Sequence, residues 1–370
     1  MKIAFHLNCL VHGGAERVVS NLAGEFASHG HEVLVATEWV DQNEYPLDPR
    51  VKRVHVGLRP EDEKKGRLTK ILLRRRYLRE FMLQYRPDVL VSFAIKANYR
   101  ALSACRGTGV PVVISVRIDP EAFYSGFVNH MMISLLFDRA SGAVFQTPRA
   151  KAFFAPHVQD NSVIILNPIT QKFIDAPDTP LSARTKTIVN VGRLVDFKDQ
   201  ALLVRAFKDV HSAYPDYDLK IYGPDSHDGT KELLERTIAE CGLQSAVTLC
   251  GDCNTLEKTI NTAAMFVFSS DYEGMPNALM EAMALGLPVI ATDCPPGAPA
   301  MLIQEKKNGC LVPIKDEKAL TEAMLYMIRH PEEAQAMGDA ARKIREIANA
   351  QTIYAQWEEY LQRVIDGYRR

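Results

Sequence analysis

Short, nearly continuous apolar runs alternate along the chain with stretches whose apolar residues recur at intervals of three and four. Residues 2–7 form the first run and predict a buried strand. After Gly13 and Gly14, the residues Val18, Val19, Leu22 and Phe26 fall on one helical face. Further strands are expected at 31–37, 51–56, 88–93, 110–116, 142–146 and 162–166, most with a helical pattern between them. Strand and helix in alternation imply crossover connections and mainly parallel sheets, the α/β class.

The alternation breaks over 168–185, where Pro168, Pro177 and Pro180 accompany little apolar periodicity; this reads as a linker. It restarts with strands expected at 187–191, 218–222, 246–249, 264–268 and 288–292 and helices at 200–213, 231–241 and 277–285. Helical stretches at 316–329, 331–347 and 351–366 close the chain. Two doubly wound domains are therefore expected, 1–168 and 169–350, with the terminal helix, about 351–370, free to pack back on the first. Such folds bind ligands beyond the carboxyl ends of their strands, so a cleft between the two domains is the expected site.

Composition narrows this reading. A length of 370 residues suits two domains, and 47% apolar with 24% charged residues excludes a mainly disordered or fibrous chain. The net charge of -1 argues against a general nucleic-acid binder. Seven scattered cysteines, an odd number, fit a reducing compartment. Cys250 and Cys253 form a CxxC, but no second pair or nearby histidine completes a zinc site, so two small residues at a strand end are the favoured reading. The first ten residues are too short and polar for a secretory signal, and no window offers the ~20 apolar residues of a membrane span. A soluble or membrane-surface protein is expected.

The chemistry concentrates in 269–284. Pro276 suits a first helical turn, which places the loop Glu273–Gly274–Met275 between a strand's carboxyl end and a helix N-terminus. Free N–H groups there favour an anion or a row of hydroxyls. Glu273 on the loop and Glu281 two turns into the helix can face one ligand from two levels. Glu281 is flanked by Met280, Ala282 and Met283, so its face is not an obviously wet one. Arg193 and Lys198, after the strand at 187–191, are placed to hold phosphate. The glycine loop Gly13–Gly14 lacks a GxGxxG pattern, which argues against a nicotinamide or flavin site.

The 273–281 segment resembles the Glu-x7-Glu signature of retaining glycosyltransferases with the two-domain GT-B fold, specifically the GT4 family. Four further motifs appear in family order: Gly13–Gly14–Ala15–Glu16, Gly192–Arg193–Leu194 with Lys198, the run from Gly286 to Asp293, and the run from Asn308 to Pro313. The chain departs from the family where many relatives carry Gly-Pro-x-Glu: here Gly297–Ala298–Pro299–Ala300 puts Ala300 at the usual glutamate position.

The resemblance implies the following roles. A nucleotide sugar, expected to be a UDP-sugar, is the substrate, and no cofactor or metal is required. Arg193 and Lys198 hold its diphosphate, Glu281 the ribose hydroxyls and Glu273 the donor sugar. Backbone groups of Gly274, Met275, Pro276 and Asn277 assist, and Gly14 lets the first domain approach the diphosphate. The leaving phosphate itself takes the acceptor proton on one face of the sugar. Arg117 and Asp119 are candidates near the reacting carbon. A glycosidase carboxylate pair is the competing chemistry, rejected because two cations imply a donor already activated by phosphate.

A second segment, 62–79, carries eight basic residues against two acidic ones in a chain of net charge -1. Arg67, Lys70 and Arg74 share a helical face, Arg75 and Arg79 lie beside them, and Leu68, Ile71, Leu72, Leu78, Phe81 and Met82 supply apolar surface. A basic amphipathic helix reads as a membrane-surface or phosphate-binding element. Its placement resembles relatives that extend polyprenyl-diphosphate-linked glycans. Transfer of a hexose or N-acetylhexosamine to a lipid-linked or cell-surface glycan, by an enzyme peripheral to an anionic membrane at its cytoplasmic face, is the expected function. A nucleotide-sugar epimerase on the same fold and a non-catalytic membrane-docked subunit remain as alternatives.

Overall fold

The computed structural model describes residues 1–11 and 13–369. The first part of the chain runs β1 (Lys2–Leu7), α1 (Gly14–Ser28), β2 (Glu32–Thr37), β3 (Lys52–His55), α2 (Arg67–Tyr85), β4 (Val89–Phe93), α3 (Ile95–Ala104), β5 (Val112–Ser115), α4 (Pro120–Phe123), α5 (Phe127–Leu136), β6 (Gly142–Phe145), α6 (Pro148–Ala152), α7 (Pro156–Asp160) and β7 (Ser162–Ile164). The second runs α8 (Gln171–Ile174), β8 (Thr187–Val191), α9 (Gln200–Ala213), β9 (Asp218–Tyr222), α10 (Thr230–Glu240), β10 (Val247–Gly251), α11 (Leu256–Thr259), β11 (Met265–Phe268), α12 (Asn277–Ala284), β12 (Val289–Thr292), α13 (Ala298–Leu302), β13 (Cys310–Val312), α14 (Glu317–Arg329), α15 (Pro331–Ala341), α16 (Ile344–Ile347) and α17 (Ala350–Arg369).

All strand pairings are parallel, in one seven-stranded sheet ordered β3-β2-β1-β4-β5-β6-β7 and one six-stranded sheet ordered β10-β9-β8-β11-β12-β13. Parallel strands covered on both faces read as continuous apolar runs, which is why 2–7 and 289–292 were legible without alternation. In each sheet the order reverses direction between two neighbouring strands, β1 and β4 in one, β8 and β11 in the other. That reversal leaves a crevice at the carboxyl edge. The described chain is thus a pair of doubly wound α/β sheets, as the periodicity predicts.

The chain divides into two compact units, residues 1–167 with 350–370, and residues 168–349. In the first, α1 and α17 cover one face of the sheet and α2, α3 and the segment after α5 cover the other. Helix α17 joins this unit because Ile353, Trp357, Tyr360, Leu361 and Val364 recur on one face and are buried in its core. The Tyr360 hydroxyl accepts from the Ala143 amide at 2.7 Å, fastening the helix to β6. In the second unit, α9, α10, α14 and α15 close one face.

The expected linker is a packed part of the second unit. Ile169 and Phe173 are buried, and the guanidinium of Arg345 donates to the carbonyls of Ala284 and Ala176. Prolines erased the periodicity of 168–185 without removing its anchoring side chains. The helical stretch expected over 331–347 is broken into α15 and α16, and β13 is a strand that three short residues did not announce. No helix among the described residues is long and apolar enough to cross a membrane.

Candidate active site

The carboxyl ends of β8 and β11 carry the two segments that the motifs singled out. After β8 the chain passes Gly192 and Arg193 into a short turn, Asp196–Lys198, before α9. The Asp199 side chain caps α9, accepting from the Leu202 amide at 3.1 Å, and burial pushes its pKa up. The loop after β11 is sewn to this turn. Asp271 N–H donates to the Phe197 carbonyl (2.8 Å), Ser269 Oγ donates to the Lys198 carbonyl (2.8 Å), and the Tyr272 ring stacks on Phe197 at 4.7 Å. From the next strand, Thr292 Oγ1 donates to the Ser270 carbonyl (2.6 Å), and Glu273 N–H donates to the carbonyl of Pro295 (2.9 Å).

This sewing brings Lys198 onto Glu273. Their side chains form a hydrogen-bonded ion pair, with the Lys198 ammonium 5.3 Å from the centre of the Phe268 ring. Both remain partly open to solvent. Arg193 is exposed and forms no ion pair among the described residues; its carbonyl accepts from the Gln200 amide side chain at 3.1 Å. Glu281 projects from the second turn of α12 and is only 6% exposed. Pro276 stands one position earlier than expected, as the cap residue preceding α12 rather than inside it. Gly274 and Asn277 are half-buried there, Met275 and Pro276 buried.

Two positioning residues were not singled out from sequence. Gly223 has φ +147, and a Cβ on it would lie 2.0 Å from the Gly192 carbonyl oxygen, so the turn carrying Arg193 depends on that close approach. Thr292 is fully buried and its hydroxyl fixes the Ser269–Glu273 loop. The only sequence signal for either was its place just after or at the end of a strand.

In the first unit, Gly14 opens α1 a short step beyond β1. Arg117 turns inward. Its Nε donates to Ser115 Oγ (3.0 Å), Nη1 donates to Asn167, and the guanidinium lies 5.1 Å from the Phe93 ring and 5.8 Å from the Trp357 ring. Burial pushes its pKa down to about 9. Asp119 accepts from the Glu121 amide at 3.1 Å as the cap of α4, and burial pushes its pKa up. Arg117 is half-buried and Asp119 buried in the first unit.

The basic helix is likewise partly consumed. Arg74 pairs at 3.0 Å with Glu38, a carboxylate only 4% exposed that also binds Arg100. Arg75 Nε donates to the Ser103 carbonyl (2.9 Å), and Arg79 donates to the carbonyls of Ala104 (3.2 Å) and Arg106. Lys70 pairs with Glu63 at 3.1 Å. Of the five cations expected to face a membrane or acceptor, only Arg67 is exposed without an intramolecular ion pair or hydrogen bond among the described residues. The sequence showed the charges but not the carbonyls and the buried carboxylate that meet them.

Residues 12–169 match the family model Glycosyltransferase Family 4, and residues 172–344 match Glycosyl transferases group 1. The chain is 25% identical to an uncharacterized glycosyltransferase of Haemophilus influenzae over 96% of its own length and 98% of that protein's. It is 28% identical, over 69% of its length and 71% of the other's, to the N-acetylgalactosamine-N,N'-diacetylbacillosaminyl-diphospho-undecaprenol 4-alpha-N-acetylgalactosaminyltransferase of Campylobacter jejuni. Its fold matches the crystal structure of Anabaena HepE in complex with UDP and glucose, with TM-score 0.80, 18% identity, and coverage of 98% and 99% of the two chains. The chain belongs to the group 1, family 4 glycosyltransferases, enzymes of the GT-B fold that transfer a sugar from a nucleotide-sugar donor.

Proposed function

We propose that this enzyme is a retaining transferase that moves a hexose or N-acetylhexosamine from a UDP-sugar to a glycan carried on a lipid diphosphate. The observation that carries the donor half is the Lys198–Glu273 ion pair, set over Phe268 beside exposed Arg193 and buried Glu281. In this reading Lys198 and Arg193 hold the diphosphate oxygens. As the bond from the anomeric carbon to the leaving oxygen lengthens, negative charge grows on the diphosphate, and fixed cations stabilise that charge more than the ground state. Before the donor arrives, Glu273 keeps Lys198 in position. With the donor bound, the Glu273 carboxylate accepts hydrogen bonds from sugar hydroxyls while Lys198 gains a second anionic partner. Glu281 accepts from the ribose hydroxyls. A phosphate oxygen on the departing side takes the acceptor hydroxyl's proton, so attack comes from the face the leaving group vacates and the configuration is retained.

The uridine donor is supported by the fold shared with a protein crystallised with UDP. The lipid diphosphate acceptor is supported by the similar Campylobacter enzyme, named for a diphospho-undecaprenol substrate, and by the cation-rich α2 in the first unit. The test is a panel of UDP-sugars and GDP-sugars screened by thermal shift, followed by transfer assays with a polyprenyl-diphosphate saccharide. One UDP-sugar should raise the melting temperature and yield a product with the donor's anomeric configuration. Excess chelator should leave the rate unchanged, because Arg193 and Lys198 supply the positive charge. Conversion of a nucleotide sugar to an isomer without acceptor would overturn the assignment in favour of an epimerase.

A further inference from the structure

Helix α5, Phe127–Leu136, contains no Asp, Glu, Lys or Arg, yet it lies on the outside of the first unit. Phe127 (84% exposed), Val128, Met131 and Leu135 recur on one face at spacings of one, three and four. Phe123, from α4 just before it, adds to the same exposed set. The opposite face is anchored: Leu136 is buried, Met132 and Ile133 pack against the core, and Tyr99 of α3 donates from its hydroxyl to Asn129 at 3.3 Å. The helix is therefore an ordered element with its apolar face turned to solvent, where a burial gain is forgone.

Helix α2 packs on α3 and so does α5, so the two flank it on one face of the sheet. Crossover helices run antiparallel to the strands they connect, which puts the first turns of both at the carboxyl edge. On α2 those turns expose Leu68 (79%), Ile71 and Leu72, again on one helical face. The exposed charges around the two apolar faces that form no ion pair among the described residues are mostly basic: Lys64, Arg67 and Lys96, against Glu61. Three other acidic residues nearby are already paired, Glu63 with Lys70, Glu80 with Arg76 and Glu121 with Arg149, and Asp138 meets the His157 ring.

We infer that the outer face of α5, with the first two turns of α2, inserts into the interfacial layer of an anionic bilayer, α5 supplying the apolar wedge and the cations around it contacting headgroups. The occupant is a lipid surface because exposed cations without an ion pair, Lys64, Arg67 and Lys96, border the exposed apolar groups and outnumber the unpaired acidic Glu61 beside α2. The inference deepens the lipid-linked acceptor reading, and it is tested without turnover. With most of α2's charge neutralised internally, α5 makes the binding largely salt-resistant, whereas a purely electrostatic contact vanishes at high ionic strength.

The experiment compares wild type with a Phe127→Ser, Met131→Ser, Leu135→Ser variant by co-sedimentation with vesicles of phosphatidylcholine and phosphatidylglycerol, at low and at high salt. Wild type should bind at both, about tenfold more weakly at high salt, and the variant should lose about 100-fold at each. Its near-UV circular dichroism and unfolding midpoint should match wild type, which shows it folded. A Phe127→Trp variant should give a blue-shifted emission quenched by brominated acyl chains. Co-sedimentation of the serine variant equal to wild type overturns the inference. So does a wild type that ignores vesicles and instead forms a dimer that the serine variant abolishes, since the face then covers a second copy of this chain. Loss of transfer with vesicle binding intact would fault the acceptor assignment alone.

Discussion

The carboxyl edges of the two sheets have the same topology and opposite uses of charge. At the edge of the six-stranded sheet, Arg193 stands exposed and Lys198 shares a half-open site with Glu273. At the edge of the seven-stranded sheet, Arg74 and Arg100 converge on buried Glu38, and Arg117 is drawn under Phe93 and Trp357. The first edge keeps its cations available for an anionic ligand. The second spends them on holding helices to the sheet, and what it offers outward is apolar surface on α5 and α2. A doubly wound fold dictates where a site can be, but the partners of each cation decide whether it binds a ligand or its own backbone.

Removing Glu38 attacks the comparison most directly. Glu38→Ala leaves Arg100, largely buried, without its carboxylate and releases the half-exposed Arg74, and breaking a buried pair typically costs about 3–5 kcal/mol. Thermal and denaturant unfolding should show that loss, while the donor site, in the other unit, keeps its affinity for a nucleotide sugar. A variant as stable as wild type would show that the Glu38 cluster is not structural.

At the other edge the expected loss is catalytic. Arg193→Ala, Lys198→Ala and Glu273→Gln should each lower turnover by about 10²–10³ with circular dichroism unchanged, the usual scale for one well-placed transition-state charge partner. Near-wild-type rates in all three would erase the proposed distinction between the edges.

His6 sharpens the contrast through pH. Burial, then the Arg100 charge, lower its pKa to about 3, opposed by the hydrogen bond to the Ala36 carbonyl. Its folded pKa lies below the unfolded value, so the unfolded chain binds the proton that the folded one refuses. The stabilisation is complete above about pH 6.5 and is lost as pH falls toward 3, at about 1 kcal/mol between pH 6 and 5. His6→Gln should flatten that part of the stability profile; an unchanged slope would assign it to carboxylates elsewhere.

The smallest expected effect belongs to the exposed cations. Each basic residue at an anionic leaflet contributes roughly 1 kcal/mol. Arg67→Gln and Lys96→Gln should therefore each weaken vesicle binding by about threefold to fivefold, and only at low salt. Effects as large as those of the α5 serines would make charge, not apolar burial, the dominant attraction.

Much of this was legible in one dimension. Strands buried on both faces appear as unbroken apolar runs, and helices between them repeat at 3.6, so the class and most of the elements follow from local pattern. The Glu273–Glu281 spacing and the Arg193–Lys198 pair were readable for the same reason, since each is a feature of one strand end and the helix after it. Partners distant in sequence were not. Glu38 meets Arg74 and Arg100, Gly223 makes room for Gly192, and the Tyr360 hydroxyl of α17 meets the Ala143 amide of β6, each decided by which strands become neighbours in the sheet. The outward face of α5 was hidden for a related reason. An uncharged stretch such as Phe127–Leu136 reads as core, and only packing shows that the sheet beneath it is already covered and its apolar side chains are left facing water.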